Sequence, residues 1–233
     1  MRTIGLLGGM SWTSTIEYYR IVNEEAARRL GGLHAGRIIV NSVDFGVIAR
    51  MQREGDWQGA GELLAEAAAG LERAGADLLL IGAVTMHRVA DAVERAVDIP
   101  LLHIADVAAD RILRDGFKSA GLLGTLYTME QEFLKERLGG HGLQIHVPNE
   151  SDRRLVHRII FEELAVGCIL DSSREQLLAV IDRMCEQGAE AIILGCTELS
   201  LLLRAEDCPV PAFDTTRIHA LAAVDSAFES LEQ

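Results

Sequence analysis

Thr3-Ile4-Gly5-Leu6-Leu7-Gly8-Gly9 returns in altered form as Ser119-Ala120-Gly121-Leu122-Leu123-Gly124-Thr125. A second stretch does the same: Gly75-Ala76-Asp77-Leu78-Leu79-Leu80-Ile81-Gly82 is matched by Gly188-Ala189-Glu190-Ala191-Ile192-Ile193-Leu194-Gly195. A looser third pair is Ile99-Pro100-Leu101-Leu102 with Cys208-Pro209-Val210-Pro211. The pairs keep their order, and the first two are spaced by 116 and 113 residues, about half of the 233-residue chain. Gly-Ala-Asp before a strand also arises wherever a glycine ends a helix. Three matches in one order nevertheless point to two related halves.

Each matched run is short, apolar and bounded by glycine, as a buried parallel strand requires. Further runs of this kind lie at 37–43, 99–104, 143–147 and 210–213. Between the runs, helical periodicity covers 14–29, 57–74, 89–97, 105–114, 129–138, 152–166, 173–187 and 216–231. This alternation predicts an α/β protein of two similar halves, each a parallel sheet flanked by helices.

Apolar residues make up 49% of the chain and charged residues 24%, enough for a sizeable core and unlike a disordered chain. The formal charge of −13, without a cluster of Lys and Arg, argues against nucleic acid and anionic membrane as partners. No apolar run has the length of a membrane span. The N-terminus lacks the long apolar core of a signal peptide, so a cytoplasmic protein is expected. Cys168, Cys185, Cys196 and Cys208 form neither a CxxC pair nor a zinc spacing; free thiols and no metal are expected.

In open α/β sheets the residues just after each strand face ligands. Gly8-Gly9-Met10-Ser11-Trp12 follows the first run, with Ser11, Thr13 or Ser14 able to cap a helix or a carboxylate able to sit on the turn. Gly124-Thr125-Leu126-Tyr127-Thr128-Met129 is its counterpart. After the second matched pair come Ala83-Val84-Thr85-Met86-His87 and Cys196-Thr197-Glu198-Leu199. Cys196 therefore reads either as a small buried residue or as a thiolate favoured by a helix start. His87 and His103 read as structural residues or as acid–base groups, and Asp44 and Glu198 as caps or solvated carboxylates.

Gly5–Trp12 (GLLGGMSW), Val43–Phe45, Thr85–His87, Gly124–Phe133 (GTLYTMEQEF), Ile159–Leu164 (IIFEEL) and Gly195–Leu199 (GCTEL) together resemble the aspartate/glutamate racemase family nearly end to end. The resemblance implies two lobes, residues 1–104 with 214–233 and residues 105–213, with the active site in the cleft between them. It implies a homodimer acting on a small amino acid, aspartate, glutamate or a broader set, without pyridoxal phosphate or metal. Two cysteines would serve opposite faces of the substrate Cα, one removing and one delivering a proton. The second maps onto Cys196. The first maps onto Ala83, which the repeat also pairs with Cys196, and Ala cannot transfer a proton. An engineered replacement is favoured by the otherwise intact motifs; the other reading is a natural one-cysteine branch. Met10, Gln52, Val84, Thr85, Thr125, Tyr127, Thr128, Thr197 and Glu198 are the implied substrate contacts, with Gln52 in a loop and Arg53 solvated. A one-cysteine enzyme resembling arylmalonate decarboxylase and a non-catalytic binder of acidic amino acids are the alternatives.

Overall fold

The structure is a computed structural model that describes residues 1–229. In chain order the first half holds β1 (Ile4–Gly8), α1 (Trp12–Leu30), β2 (Ile38–Ser42), α2 (Phe45–Glu54), α3 (Trp57–Arg73), β3 (Leu78–Ile81), a 3-10 turn (Val84–Val89) and α4 (Ala90–Glu94). Then follow α5 (Ile104–Arg114), β4 (Ser119–Leu123), α6 (Leu126–Glu130), α7 (Glu132–Gly140), β5 (Gln144–His146) and α8 (Glu150–Arg158). The chain continues through α9 (Asp171–Glu186), β6 (Ile192–Leu194), α10 (Leu199–Leu202), β7 (Ala212–Asp214) and α11 (Thr215–Glu229). It divides into two compact units, Met1–Ile104 with the chain from His219 onward, and Ala105–Ile218.

In the first unit the strand order is β2-β1-β3, and in the second β5-β4-β6-β7, with every pairing parallel. The predicted α/β class with helix-flanked parallel sheets is thus the observed one. Every residue of β1 and β4 is buried, because a parallel strand inside a sheet is covered on both faces. The repeat recurs in detail. The Asp77 carboxylate accepts from the N–H of Thr3 at 2.6 Å, and the Glu190 carboxylate accepts from the N–H of Lys118 and Ser119 at 2.8 and 3.2 Å. Each acidic residue before a strand therefore ties down the start of the strand beside it.

Five local expectations change. The run at 99–104 forms only a bridge between Leu101 and Leu79, since Pro100 has no N–H to donate and α5 begins at Ile104. The helix expected at 89–97 shrinks to α4 behind the 3-10 turn. That expected at 129–138 is broken at Gln131, whose extended backbone starts α7. That expected at 152–166 passes into a π-helical turn at Ile159–Glu163 and a 3-10 turn at Leu164–Val166, which together bury Ile159, Ile160, Glu163 and Leu164. Finally, α2 replaces a predicted loop: Asp44 caps it through the N–H of Gly46 at 2.8 Å, and Gly55 ends it at φ 74°. The expected end of the last helix at Leu231 lies outside the described residues.

The last helix is pinned to the first unit by His219. Its Nε2–H donates to the Leu102 carbonyl at 2.8 Å, and its Nδ1 accepts from the Tyr18 hydroxyl of α1 at 2.9 Å. Acceptance at Nδ1 requires a neutral ring, and burial pushes its pKa from 6.5 down to about 4. Between those values the unfolded chain binds a proton that the folded chain refuses, so stability falls as pH falls. The expected loss from this residue is about 3 kcal/mol on going from pH 7 to pH 4. Urea unfolding of the native protein and of His219→Gln at several pH values tests this: the variant is expected to show a shallower acid loss. Parallel curves would show that His219 does not titrate on unfolding.

Candidate active site

Strand pairing brings the turns of each half together. Leu7 of β1 lies beside Ile81 of β3, and Leu123 of β4 beside Leu194 of β6. Just past them the same backbone bond appears twice: Gly82 N–H donates to the Leu7 carbonyl at 2.8 Å, and Gly195 N–H to the Leu123 carbonyl at 2.7 Å. A Cβ at Gly195 would lie 2.9 Å from that carbonyl oxygen, and one at Gly82 3.1 Å from its own, so the close approach favours glycine in both halves. The next residues are Ala83 and Cys196, and each carbonyl accepts from the N–H three residues on, Met86 and Leu199, at 3.2 Å. Ala83 and Cys196 thus hold equivalent positions in their own units.

In the first unit, Gly9 turns the chain at φ 91°, where a Cβ would lie 2.2 Å from the Val43 carbonyl oxygen. Its N–H donates to Thr15 Oγ1 at 2.8 Å, and the Thr15 hydroxyl donates to the Ser11 carbonyl at 2.9 Å. Ser11 caps α1 through the N–H of Ser14. Much of this turn's hydrogen-bonding capacity is therefore spent on the turn and the helix start. Met10 and Met86 are buried in one apolar cluster with Ala83 packed against it. The Gln52 amide donates to Met86 Sδ at 3.1 Å. Gln52 sits in the last turn of α2, a correction to its placement in a loop. Val84 and Thr85 are partly buried in the 3-10 turn.

In the second unit, Thr125 caps α6 by accepting from the N–H of Thr128, which is buried; Tyr127 is partly exposed. A Cβ at Gly195 would also lie 3.2 Å from Thr128 Cγ2, so this turn adjoins the one bearing Cys196. His157 of α8 joins it, accepting from the Leu126 N–H at 3.3 Å. Sequence reasoning passed over His157, because its partner lies 31 residues away and no local spacing marks it.

Cys196 is tied to an acid. Its thiol donates to Glu198 Oε2 at 2.8 Å, and Thr197 Oγ1 donates to the same oxygen at 2.8 Å. Burial pushes the thiol pKa well above 9, and the Glu198 carboxylate adds to that. The direction is opposite to that of a thiolate favoured by a helix start and accords with the other reading of Cys196, a small buried residue. The following helix, Leu199–Leu202, spans only one turn, while burial first and the carboxylate second act against ionisation of the sulfur. Elsewhere Cys168 is exposed, while Cys185 and Cys208 pack against the core of the second unit. Among the described residues no group of three or more His, Cys, Asp or Glu side chains could hold a metal ion.

Neutral-pH alkylation with iodoacetamide is expected to label exposed Cys168 ahead of Cys196. Removing the negative neighbour lowers the thiol pKa, so Glu198→Gln is expected to speed labelling of Cys196 several-fold at pH 8, read by peptide mass spectrometry. Unchanged or slower labelling would show that the carboxylate does not hold the proton on sulfur.

Residues 7–223 match the family model described as Asp/Glu/Hydantoin racemase. The chain is 50% identical to a Yersinia pestis protein whose crystal structure is described as that of a candidate Asp/Glu racemase. The TM-score is 0.94, with 98% of this chain and 100% of that one covered. It is 36% identical, at a TM-score of 0.88 and the same coverage, to an aspartate racemase homologue from Pyrococcus horikoshii. It is also 24% identical over 160 residues, 67% of each chain, to the broad specificity amino-acid racemase RacX of Bacillus subtilis. The match spans both strand-end turns that the repeat pairs, and the chain belongs to the Asp/Glu/hydantoin racemase family.

Proposed function

We propose that the chain is an amino-acid racemase of the aspartate/glutamate type, independent of pyridoxal phosphate, whose present form lacks one of two proton-transfer groups. The observation that carries this reading is the equivalence of Ala83 and Cys196. Both follow a glycine that makes the same backbone bond, and both accept from the N–H three residues on. Inverting Cα requires a proton to leave one face and another to arrive at the opposite face. Cys196 serves one face. Its thiol, held on Glu198, is poised first as an acid; it becomes a base when its proton passes to the carboxylate 2.8 Å away. The second base belongs at position 83, where a methyl group can neither give nor take a proton.

Met10, Gln52, Val84, Thr85, Thr125, Tyr127, Thr128, Thr197 and Glu198 are proposed as the substrate-contacting set. With a net charge of −13, an acidic amino acid must be held by local N–H and hydroxyl donors rather than by the overall field. A second reading draws on the same thiol. A protonated Cys196 is the group a one-cysteine decarboxylase needs, since that reaction ends with a proton delivered to an enediolate after carbon dioxide leaves.

Each enantiomer of aspartate and glutamate is to be incubated in heavy water with the native protein and with Ala83→Cys, followed by chiral and mass analysis. The variant is expected to racemise at least about a hundredfold faster, the smaller end of what a general acid–base group contributes. The native protein is expected to exchange the α-hydrogen of one enantiomer with little inversion. Rapid inversion by the native protein would overturn the role given to position 83. Turnover of an arylmalonate by the native protein would favour the second reading, and binding without turnover in both forms would leave a binder of acidic amino acids.

A further inference from the structure

We infer that His87 is a positioning residue for residue 83, acting as a neutral imidazole locked with its proton on Nδ1. Its consequence for catalysis rests on the function proposed above; the tautomer and the contact do not.

His87 Nδ1 lies 3.0 Å from the Ala83 carbonyl oxygen. A carbonyl only accepts, so Nδ1 carries the hydrogen, and a neutral ring then leaves a bare lone pair on Nε2. That Nε2 is buried with no hydrogen-bond partner, in a residue only 3% exposed. An apolar side chain would fill the same space without stranding an acceptor. What histidine supplies here is a ring N–H on the Ala83 carbonyl, with the Val84 backbone as a further partner. Ala83 stands in extended backbone and begins the 3-10 turn with no side-chain cap, so its carbonyl is what holds it: the Met86 N–H inside the turn and His87 Nδ1 across it.

The surroundings keep the ring neutral. His103, in the segment before α5, stands edge-on at 4.6 Å between ring centroids, and His219 of α11 at 5.6 Å. Tyr18 of α1 reaches the cluster through His219, whose two nitrogens are already engaged in their neutral form. A proton on His87 Nε2 would put a charge and an unmatched donor into this cluster. Burial, followed by His103 and His219, accordingly drives its pKa well below the usual value. The repeat sharpens the point. The equivalent of His87 in the second half is Ser200, whose hydroxyl oxygen is buried without a partner and makes no such bond to Cys196. There the side chain of Cys196 is oriented by Glu198 instead. One half positions its residue through the backbone, and the other through the side chain.

The test has two arms. Nitrogen-15 imidazole shifts of the native protein, from pH 8 to pH 5.5, are expected to show His87 with a protonated Nδ1 and a bare Nε2 throughout. A proton on Nε2, or a charged ring at pH 7, would overturn the inference whether or not the protein racemises anything. In the Ala83→Cys background, His87→Leu is expected to lower kcat tenfold or more with a smaller change in KM. His87→Asn places an amide N–H where Nδ1 stands, and is expected to recover kcat to within a few-fold. It should also leave the amide resonances of Val84, Thr85 and Met86 near their native positions while His87→Leu moves them. Equal kcat in the leucine variant would overturn positioning while leaving the racemase reading intact. No racemisation by Ala83→Cys itself would remove the racemase reading, and the tautomer and the amide shifts would still decide the role of His87.

Discussion

Parallel pairing between neighbouring strands, β1 with β3 and β4 with β6, is the constraint from which the candidate site follows. In each unit the first of these strands ends in a glycine-containing turn, and the second delivers a glycine N–H to a carbonyl of the first. Because the strands run the same way, their carboxyl ends emerge together, and residues far apart in the chain share one edge of the sheet. Met10 meets the turn at Ala83 for this reason, and Thr128 meets that at Cys196. Glycine at positions 82 and 195 is required because the two backbones approach within van der Waals distance of any Cβ. A side chain there would push apart the strands whose alignment creates the site.

Two electrostatic devices then act at equivalent places. At Cys196 a carboxylate two residues on accepts a hydrogen bond from the thiol, and with burial it keeps the sulfur protonated. At Ala83 an imidazole four residues on donates to the backbone and is kept uncharged by burial among two other imidazoles. The first bears on the protonation state of the sulfur, since a thiolate here would be buried beside a carboxylate. The second bears on geometry. Both depend on exclusion of water, because in bulk solvent neither a neighbouring carboxylate nor a nearby imidazole would move a pKa far.

Much of this was legible in the chain. The repeat announced two sheets, and its acidic members Asp77 and Glu190 proved to tie strand starts in the same way. Asp44 and Ser11 act as caps, as their types and positions allow. What stayed hidden did so for separate local reasons. The helix Phe45–Glu54 buries only Ile48, and its apolar residues Phe45, Ile48 and Met51, though at helical spacing, fill just ten residues between two turns. The π-helical turn at Ile159–Glu163 departs from a 3.6-residue period, and a pattern search built on that period runs straight through it. Pro100 in the third repeat pair reduced an expected strand to a bridge, because apolar character alone does not supply an N–H.

By itself the sequence determined the class of fold, its division into two similar halves, and the equivalence of Ala83 with Cys196. These follow from periodicity and repetition, which are properties of the chain. The tertiary structure alone decided that Cys196 rests as a thiol, that His87 spends its proton on the Ala83 carbonyl, and that His157 joins the turn at Leu126. Protonation and hydrogen bonding respond to burial and to distances of about 3 Å between groups. Those distances are set only when strands and helices pack, and no spacing along a chain records them.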